Sequence, residues 1–339
     1  MPITGVYFIP SLPNASSARG VITERLRSVY PDEDLLPLGQ WSLEQKLMRD
    51  TPSLLPGYKG TPHYMHFLSI ATHYPKHGFI YTAGPPKAPN QQLSLSTSAG
   101  NGASPGQTPN PQGTNSNSPQ VPGSSMPTPP QLQSATDSKS FAAGSEVMTI
   151  VPSSSFGMLF SHFVYACQPF WAHRMTVSVS NGVVFDVGDF RVRLGDVRQV
   201  WPTARARGTV IEIEWRGPTL VDTVTSSLSR SGEDKNANAD GDADSGIDVD
   251  FSAVDEADLD AEFIATAALI REFWVRLGIE GAREAILVPG YGKEIKDCLR
   301  KLRAREKRSG GESVAESEAD TYAGADLAKQ YMEVLRFNR

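Results

Sequence analysis

The chain has 339 residues, of which 39% are hydrophobic, and its formal net charge is −6 at pH 7. The acidic balance argues against a general nucleic-acid-binding protein, because such proteins usually carry an excess of basic residues. No apolar run approaches the roughly 20 residues that span a bilayer, and prolines interrupt the apolar N-terminus, which is not a convincing signal peptide. Cys167 and Cys298 form neither a CxxC pair nor a zinc spacing, which suits a reducing compartment. We therefore expect a soluble intracellular protein without a membrane span.

The N-terminal part, residues 1–84, is predicted to combine strands with one helix. The first residues favour a short strand, and a serine N-cap at position 16 or 17 begins an amphipathic helix of about three turns. Residues 31–60 are punctuated by prolines and glycines, which predicts mostly loop. Residues 63–82 favour two short strands joined by a turn that contains proline and glycine.

Two segments are too polar to fold by themselves. Residues 85–145 consist almost entirely of small and polar residues with many prolines, and residues 225–258 are rich in aspartate. Neither segment can bury enough apolar surface to offset the conformational entropy that is lost when a chain becomes ordered. We expect a disordered insertion at 85–145 and a disordered acidic linker at 225–258.

Residues 146–224 carry the strongest sheet signal of the chain. A short strand and a helix at 153–168 precede the stretch 176–215, in which apolar and polar residues alternate. Within this stretch, Asn181-Gly182 predicts a two-residue hairpin turn. The apolar positions change from odd to even numbers across Gly188-Asp189, which predicts a β-bulge at that point. Bulged strands are typical of barrels and of strongly curved sheets.

The C-terminal part, residues 259–339, is predicted to be helical. An amphipathic helix at 260–277 is followed by a basic helix at 293–308 and by a closing helix at about 324–337. The basic helix suits a nuclear import signal, a contact for an anionic partner or a solvated face, and the sequence leaves these open. Because helices interrupt an antiparallel sheet, we expect a single α+β domain, with helices flanking a curved antiparallel sheet or barrel.

Glu212 and Glu214 are the sharpest candidates for catalysis. Glutamates at period two on one strand project to the same side and could jointly hold a divalent cation, as in the metal-binding strand of tunnel-type triphosphate hydrolases. Such a site needs further carboxylates from a facing strand, and the sequence offers none close by. We therefore expect Ile211 and Ile213 to face the core and the two glutamates to face water. A metal-dependent triphosphate hydrolase that uses Glu212 and Glu214 is kept as the alternative function.

The acidic run from Asp240 to Gly246 suggests a calcium-binding loop. An EF-hand loop has glycine at position six and glutamate at position twelve, whereas this run has Ser245 and Phe251 there. A solvated linker is therefore expected, and a calcium-sensing linker protein is a third hypothesis.

Three tryptophans in or beside the sheet stretch are candidates for partner binding: Trp171, Trp201 and Trp215. Aromatic side chains are enriched at protein interfaces, although a core position would explain each of them equally well. No residue is assigned a catalytic, cofactor-binding or metal-binding role. The residues by themselves therefore favour a binding function over catalysis.

Three motifs, in a fixed order along the chain, carry a family resemblance. The first is the strand Gly5-Val6-Tyr7 with the amphipathic helix that follows it. The second is the run Asp189-Phe190-x-Val192-x-Leu194-Gly195-x-Val197, followed by Ala206-Arg207-Gly208 and Ile211-Glu212-Ile213-Glu214. The third is the closing segment Ala325-Asp326…Gln330-Tyr331-Met332-Glu333. Together they are similar to the opening strand, the central strand pair and the C-terminal helix of the Mediator subunit 20 family, in its fungal form.

The resemblance implies a barrel-like α+β fold, related to that of Mediator subunit 18, in a non-catalytic subunit of the Mediator head module. It further implies a heterodimer with subunit 18, contact through it with subunit 8, and links to the TATA-binding protein and RNA polymerase II in the nucleus. Direct sequence-specific nucleic-acid binding and a cofactor are not expected. The barrel of this subunit pair is similar to the tunnel hydrolases, so the resemblance also explains Glu212 and Glu214 without any activity.

Overall fold

The computed structural model describes residues 3–11, 17–33, 35–57, 62–83, 146–168, 170–221, 223–224, 254–306 and 324–337. The predicted insertion at 85–145 and nearly all of the predicted linker at 225–258 lie outside these residues, so both remain predictions. All described residues belong to one compact unit. No helix in these parts of the chain is long and apolar enough to cross a membrane.

In the part of the chain that the structure describes, nine antiparallel strands form one sheet, in the spatial order β5-β4-β3-β2-β6-β7-β8-β1-β9. They are β1 Thr4–Pro10, β2 Gly39–Asp50, β3 Tyr64–Ser69, β4 His77–Ala83, β5 Val147–Pro152, β6 Trp171–Val187, β7 Phe190–Trp201, β8 Arg205–Trp215 and β9 Arg283–Ala285. Within the described residues, β5 and β9 each pair with a single neighbour, so the sheet is open. The expected α+β fold is confirmed. Of the two forms expected for its antiparallel sheet, a curved sheet or a barrel, the structure has the open curved sheet.

Within the described residues, five longer helices pack on this sheet. They are α1 Ala18–Val29, α2 Ser153–Tyr165, α3 Glu256–Arg276, α4 Lys293–Glu306 and α5 Ala325–Val334. The predicted serine cap of α1 is present, since the Ser17 hydroxyl accepts the N–H of Arg19 at 3.1 Å. A capping box of Asp255 and Asp258 begins α3 at Glu256, inside the segment that we expected to be linker.

The C-terminal helix α5 lies on the concave side of the sheet. It contacts β1 and β9 near one edge and β3 and β4 near the other, which requires the sheet to curl around it. Tyr331 and Ala328 of this helix share a core cluster with Trp41, Phe79 and Val210 from the strands. The helix therefore occupies the space that a closed barrel would enclose.

The convex side of the sheet is covered by α1, α3 and α2. Along β1, Val6 and Phe8 belong to the cluster around α5, whereas Tyr7 belongs to the cluster under α1 and α3. Tyr7 stacks on Trp274 of α3 with ring centroids 4.2 Å apart. At the β5 end of the same side, α2 packs Phe156 into a smaller third cluster. Most strands are therefore buried on both sides.

Strand β2 corrects the prediction that residues 31–60 are mostly loop. Its apolar residues Trp41, Leu43 and Leu47 occur at alternate positions and are buried, which is the period-two pattern of a strand. The prolines of this region lie before and after the strand and do not interrupt it. The loop prediction gave too much weight to these flanking prolines.

The predicted hairpin turn at Asn181-Gly182 is wrong, because β6 runs without a break from Trp171 to Val187. The register of β6 shifts in this region against both neighbours, β2 and β7, so a bulge lies where the turn was expected. A Cβ atom at position 182 would lie 2.1 Å from Nε1 of Trp41. The glycine is needed for this close approach.

The predicted bulge at Gly188-Asp189 is wrong as well, because these residues form the tight turn between β6 and β7. Val187 pairs directly with Phe190, and Gly188 has a φ of 56°, a conformation that favours glycine. A two-residue turn pairs residues of opposite parity, which explains why the apolar positions change from odd to even numbers here.

Candidate functional site

Glu212 lies inside the protein, which corrects the expectation that it faces water. Its side chain is 0% exposed and points from β8 toward α5, whereas Ile211 and Ile213 belong to the cluster under α3. Because α5 fills the concave side, both sides of β8 are buried, and alternation along the strand no longer separates core from solvent. Glu214, on the same side as Glu212, is 12% exposed.

Arg193 contacts both of these carboxylates. It lies opposite Glu212 on β7, and its Nη1 atom is 2.5 Å from Glu212 Oε1 and 2.5 Å from Glu214 Oε2. His73, from the loop between β3 and β4, places Nε2 3.1 Å from Glu212 Oε1. Tyr331 of α5 donates its hydroxyl hydrogen to Glu212 Oε2. These five residues form the Glu212 cluster, in which both oxygens of Glu212 have partners.

The charges of the Glu212 cluster keep Glu212 ionised. Burial by itself raises the pKa of Glu212, but the electrostatic interactions with His73 and Arg193 and the hydrogen bonds with His73 and Tyr331 outweigh burial and bring the pKa to about 2. Burial lowers the pKa of Arg193, and the two glutamates more than restore it. Burial and the adjacent Glu212 raise the pKa of Tyr331 well above its usual value, so its hydroxyl remains a donor.

A second set of buried hydrogen bonds holds α5 next to the Glu212 cluster. The side chain of Gln330 accepts the hydroxyl hydrogen of Thr4 at 2.7 Å and donates its amide to the carbonyl oxygens of Thr4 at 2.8 Å and Ile286 at 2.5 Å. These contacts join α5 to β1 and to the segment after β9. Since an unpaired buried polar group is costly, they fix the position of the helix.

A cavity opens beside the cluster, toward the N-terminal ends of α4 and α5. Its lining includes both glutamates of the cluster, Asp326 and the ring of Tyr291. Asp326 accepts the backbone N–H of Gly292 at 2.8 Å, and burial raises its pKa. Burial and the nearby Asp326 raise the pKa of Glu294 to about 8. This end of the protein therefore holds carboxyl groups that ionise less readily than usual.

A divalent-cation site at Glu212 would need open carboxylate oxygens. Both oxygens of Glu212 already have partners, and Arg193 lies between it and Glu214. Among the described residues, no group of three or more histidine, cysteine, aspartate or glutamate side chains is placed to hold a metal ion. The arrangement suits a structural role, in which the cluster joins two strands, a loop and α5.

The sequence did not single out the partners of Glu212. The sequence does contain one indication of Arg193, because this residue lies between the apolar Val192 and Leu194 and therefore on the opposite side of β7. Only the register of β7 and β8 shows that Arg193 is the direct neighbour of Glu212. His73 and Tyr331 reach the cluster from a distant loop and from the last helix, and no spacing in the sequence points to them.

The three candidate tryptophans lie at two different ends of the sheet. Trp171 begins β6 and Trp201 ends β7, both at the α2 end, where Trp201 is 43% exposed and stacks on His173 with ring centroids 4.1 Å apart. Trp215 ends β8 and contacts Phe190 edge-on at 5.1 Å, at the opposite end of β7. A single surface can therefore include Trp171 and Trp201 but not Trp215.

The basic helix α4 is held against α3 by ion pairs. Arg300 Nε is 2.8 Å from Glu256, and Lys296 Nζ is 2.5 Å from Asp260. These cations serve contacts within the protein. The import-signal and partner hypotheses for the helix at 293–308 remain predictions, and the side chains of residues 301, 302 and 304–308 lie outside the described set.

An open antiparallel sheet curled around the last helix of the chain defines an α+β domain. The family model described as "TATA-binding related factor (TRF) of subunit 20 of Mediator complex" matches residues 1–336. The chain therefore belongs to the Mediator subunit 20 family, and it is a subunit of the Mediator complex with a role in the regulation of transcription.

One solved structure, the PH1819 protein from Pyrococcus horikoshii OT3, is similar over 67% of this chain and 85% of that chain, with 10% sequence identity and a TM-score of 0.26. Values this low carry no argument about function. No curated protein matches the sequence.

Proposed function

We propose that this Mediator subunit is a non-catalytic scaffold of the head module, which pairs with Mediator subunit 18 and acts in the nucleus. Membership of the subunit 20 family supports a place in Mediator. The finer parts of the proposal are the pairing with subunit 18, the contact through it with subunit 8, and the links to the TATA-binding protein and RNA polymerase II. Direct sequence-specific nucleic-acid binding is not part of it.

The state of Glu212 supports the non-catalytic part of the proposal. A carboxylate that binds a catalytic metal needs at least one open oxygen and access for substrate. Glu212 is fully buried, and Arg193, His73 and Tyr331 use both of its oxygens. Helix α5 occupies the interior in which a tunnel-type hydrolase would bind its triphosphate. The cluster is therefore best explained as an internal brace for the fold.

An assay of triphosphate hydrolysis tests this part directly. The purified chain, incubated with Mn²⁺ or Mg²⁺ and a nucleoside triphosphate, should release no phosphate above a protein-free blank. Two variants are compared: Glu212→Gln in the cluster and Glu272→Gln on the exposed side of α3. Turnover that disappears in Glu212→Gln but not in Glu272→Gln, with both variants folded by circular dichroism, would overturn the proposal in favour of the hydrolase.

Co-expression with Mediator subunit 18 from the same organism tests the pairing. Size-exclusion chromatography with light scattering should show a one-to-one complex, and affinity purification from nuclear extract should recover further head-module subunits. A chain that stays separate from subunit 18 and recovers no head-module subunit would refute this part. Fluorescence microscopy of the tagged chain in its own cells checks the expected nuclear location.

The calcium hypothesis is kept apart from this proposal, because the run from Asp240 to Gly246 lies outside the described residues. Calorimetric titration of the full chain with Ca²⁺ should give no binding heat. Saturable binding that is lost on replacing Asp240, Asp242 and Asp244 with asparagine would favour the calcium-sensing hypothesis.

A further inference from the structure

The two edges of the sheet differ in how well they are protected against pairing with another strand. Strand β9 has three residues, two of which, Arg283 and Glu284, are charged. Strand β5 has six residues, VMTIVP, and none of them is charged. Proteins commonly protect exposed edges by keeping them short or by placing charges on them. By this criterion β9 is protected, whereas β5 is protected only by Pro152 at its end.

The backbone of β5 shows which groups face outward. Ser153 N–H donates to the carbonyl oxygen of Lys76 at 2.8 Å, in the same register as the ladder between β4 and β5. Because hydrogen-bonding direction alternates along an antiparallel strand, the odd-numbered residues of β5 bond to β4. The N–H and C=O groups of Met148 and Ile150 therefore point away from the sheet. Within the described residues no strand pairs with them.

The chain segment that forms this edge and the helix after it carries no charged residue. Residues 147–173 contain no aspartate, glutamate, lysine or arginine, in a chain in which these residues make up 21%. Helix α2 leaves Met158 and Tyr165 exposed, the latter at 80%, and Phe170 after it is 66% exposed. Exposed large apolar side chains of this kind are typical of a site of protein association. The exposed ring of Trp201 stacks on His173, which contacts Phe160 of α2 edge-on at 5.1 Å.

We propose that the outer edge of β5 and the exposed side of α2 form a docking surface for an uncharged β-strand of a partner protein. The occupant is a strand because extended backbone is what satisfies the outward groups of Met148 and Ile150. It is uncharged because a buried charge would find no opposite charge within residues 147–173, and an unpaired charge at an interface is costly. The inference rests on the proposed pairing with subunit 18, and the strand is taken to belong to that subunit.

Two variants and a control test the surface in complexes of the full chain with subunit 18. Thr149→Lys places a charge at the exposed edge without removing a ladder hydrogen bond, and Tyr165→Asp places one on α2. Val275→Lys is the control, because Val275 is exposed on α3, which covers a different part of the sheet. We expect each surface variant to weaken binding at least tenfold in calorimetry or interferometry, and the control to change it less than twofold.

Amide hydrogen exchange of single residues in β5 tests whether the partner binds at the outer edge of this strand. In the free chain, the amides of Met148 and Ile150 should exchange quickly while those of Thr149 and Val151 are protected by β4. On addition of subunit 18, the amides of Met148 and Ile150 should exchange at least tenfold more slowly. This alternating pattern would not result from docking elsewhere on the protein.

The outcomes separate the two proposals. If the wild-type chain does not bind subunit 18, the proposed function fails, and this inference fails with it. If it binds with unchanged affinity in Thr149→Lys and Tyr165→Asp, only the docking surface is refuted. Slow exchange of Met148 and Ile150 in the free chain would overturn the inference, because the edge would then be covered without the partner. A concentration-dependent dimer that Thr149→Lys abolishes would equally overturn it, in favour of a second copy.

Discussion

Replacement of Arg193 by methionine tests whether the Glu212 cluster braces the fold. Methionine keeps an unbranched apolar stem but removes the guanidinium that contacts Glu212 and Glu214, each at 2.5 Å. Removing one partner of a buried ion pair costs about 3–5 kcal/mol, because the remaining charge stays buried. We expect about 3 kcal/mol, since Glu214 retains some contact with solvent and His73 remains beside Glu212. Against a total stability of roughly 5–15 kcal/mol this loss is large.

Urea unfolding followed by circular dichroism measures the loss as a lower midpoint at constant slope. Arg216→Met is the matched control, because Arg216 forms an exposed ion pair with Asp186 and such pairs contribute about 0–1 kcal/mol. A loss in Arg193→Met no larger than in Arg216→Met would refute the reasoning.

The pH dependence of the same variant gives a second check. In the wild type the pKa of Glu212 is lowered from 4.5 to about 2. Its contribution to stability is therefore complete above the unfolded-state pKa and is lost as the pH falls through the folded-state value. Arg193 is one of the groups that oppose the effect of burial, so its removal should raise the pKa of Glu212 toward its unfolded value. The stability difference between the wild type and the variant should then shrink as the pH is lowered below 5, and parallel pH profiles would contradict this.

Three further predictions follow from other parts of the structure. Glu294→Gln should stabilise the chain by about 2 kcal/mol at pH 8. The folded-state pKa of Glu294 is raised to about 8, so the contribution of this group to stability is complete below its unfolded-state pKa and is lost as the pH rises through the folded-state pKa. Urea midpoints of the wild type and the variant that do not diverge between pH 5 and 8 would count against this prediction. Gly182→Ala should lower the free energy of unfolding by about 1–3 kcal/mol, since the new Cβ atom would lie 2.1 Å from Trp41 Nε1. Gly157→Ala in α2 is the control, because no atom lies within 4 Å of the new Cβ atom there. In thermal unfolding this control should be neutral or stabilising. Deletion of residues 90–138 should leave the melting temperature nearly unchanged, because β4 and β5 pair directly and the remaining residues can join them; a large loss of stability would show that the segment contributes to the core.

The elements that the sequence predicted well are those in which local pattern and tertiary environment agree. The cap at Ser17 needs only the residues around it, and it is present. In α3 the apolar stripe that includes Phe263 and Ile270 lies in the core cluster on the convex side of the sheet, so periodicity was sufficient. The turn at Gly188-Asp189 shows the limit of such reasoning. A parity change is produced both by a bulge and by a two-residue turn, and strand pairing, which a single sequence does not contain, distinguishes them.

The inward position of Glu212 could not be predicted from β8, because it depends on the last helix of the chain. Alternation implies one apolar and one solvated side only for a strand covered on one side. Helix α5 covers the other side of β8, and its Tyr331 supplies one of the hydrogen bonds that make a buried carboxylate tolerable. The helix that makes Glu212 a buried residue is therefore more than a hundred positions away in the sequence. In the sequence alone, a polar residue on a strand that is buried on both sides has the same pattern as a solvent-exposed residue.

The same helix determines where recognition can take place. With α5 inside the curled sheet, and with Gln330 bonded to Thr4 near the opposite terminus, the interior is held by both ends of the chain. Opening it for a ligand would separate Tyr331 from Glu212 and Gln330 from Thr4, and each buried polar group left unpaired costs about 1–3 kcal/mol. Partner binding at the outer edge of β5 leaves all of these contacts intact. The proposed docking at the edge of β5 is therefore compatible with the buried polar contacts that hold α5 inside the sheet.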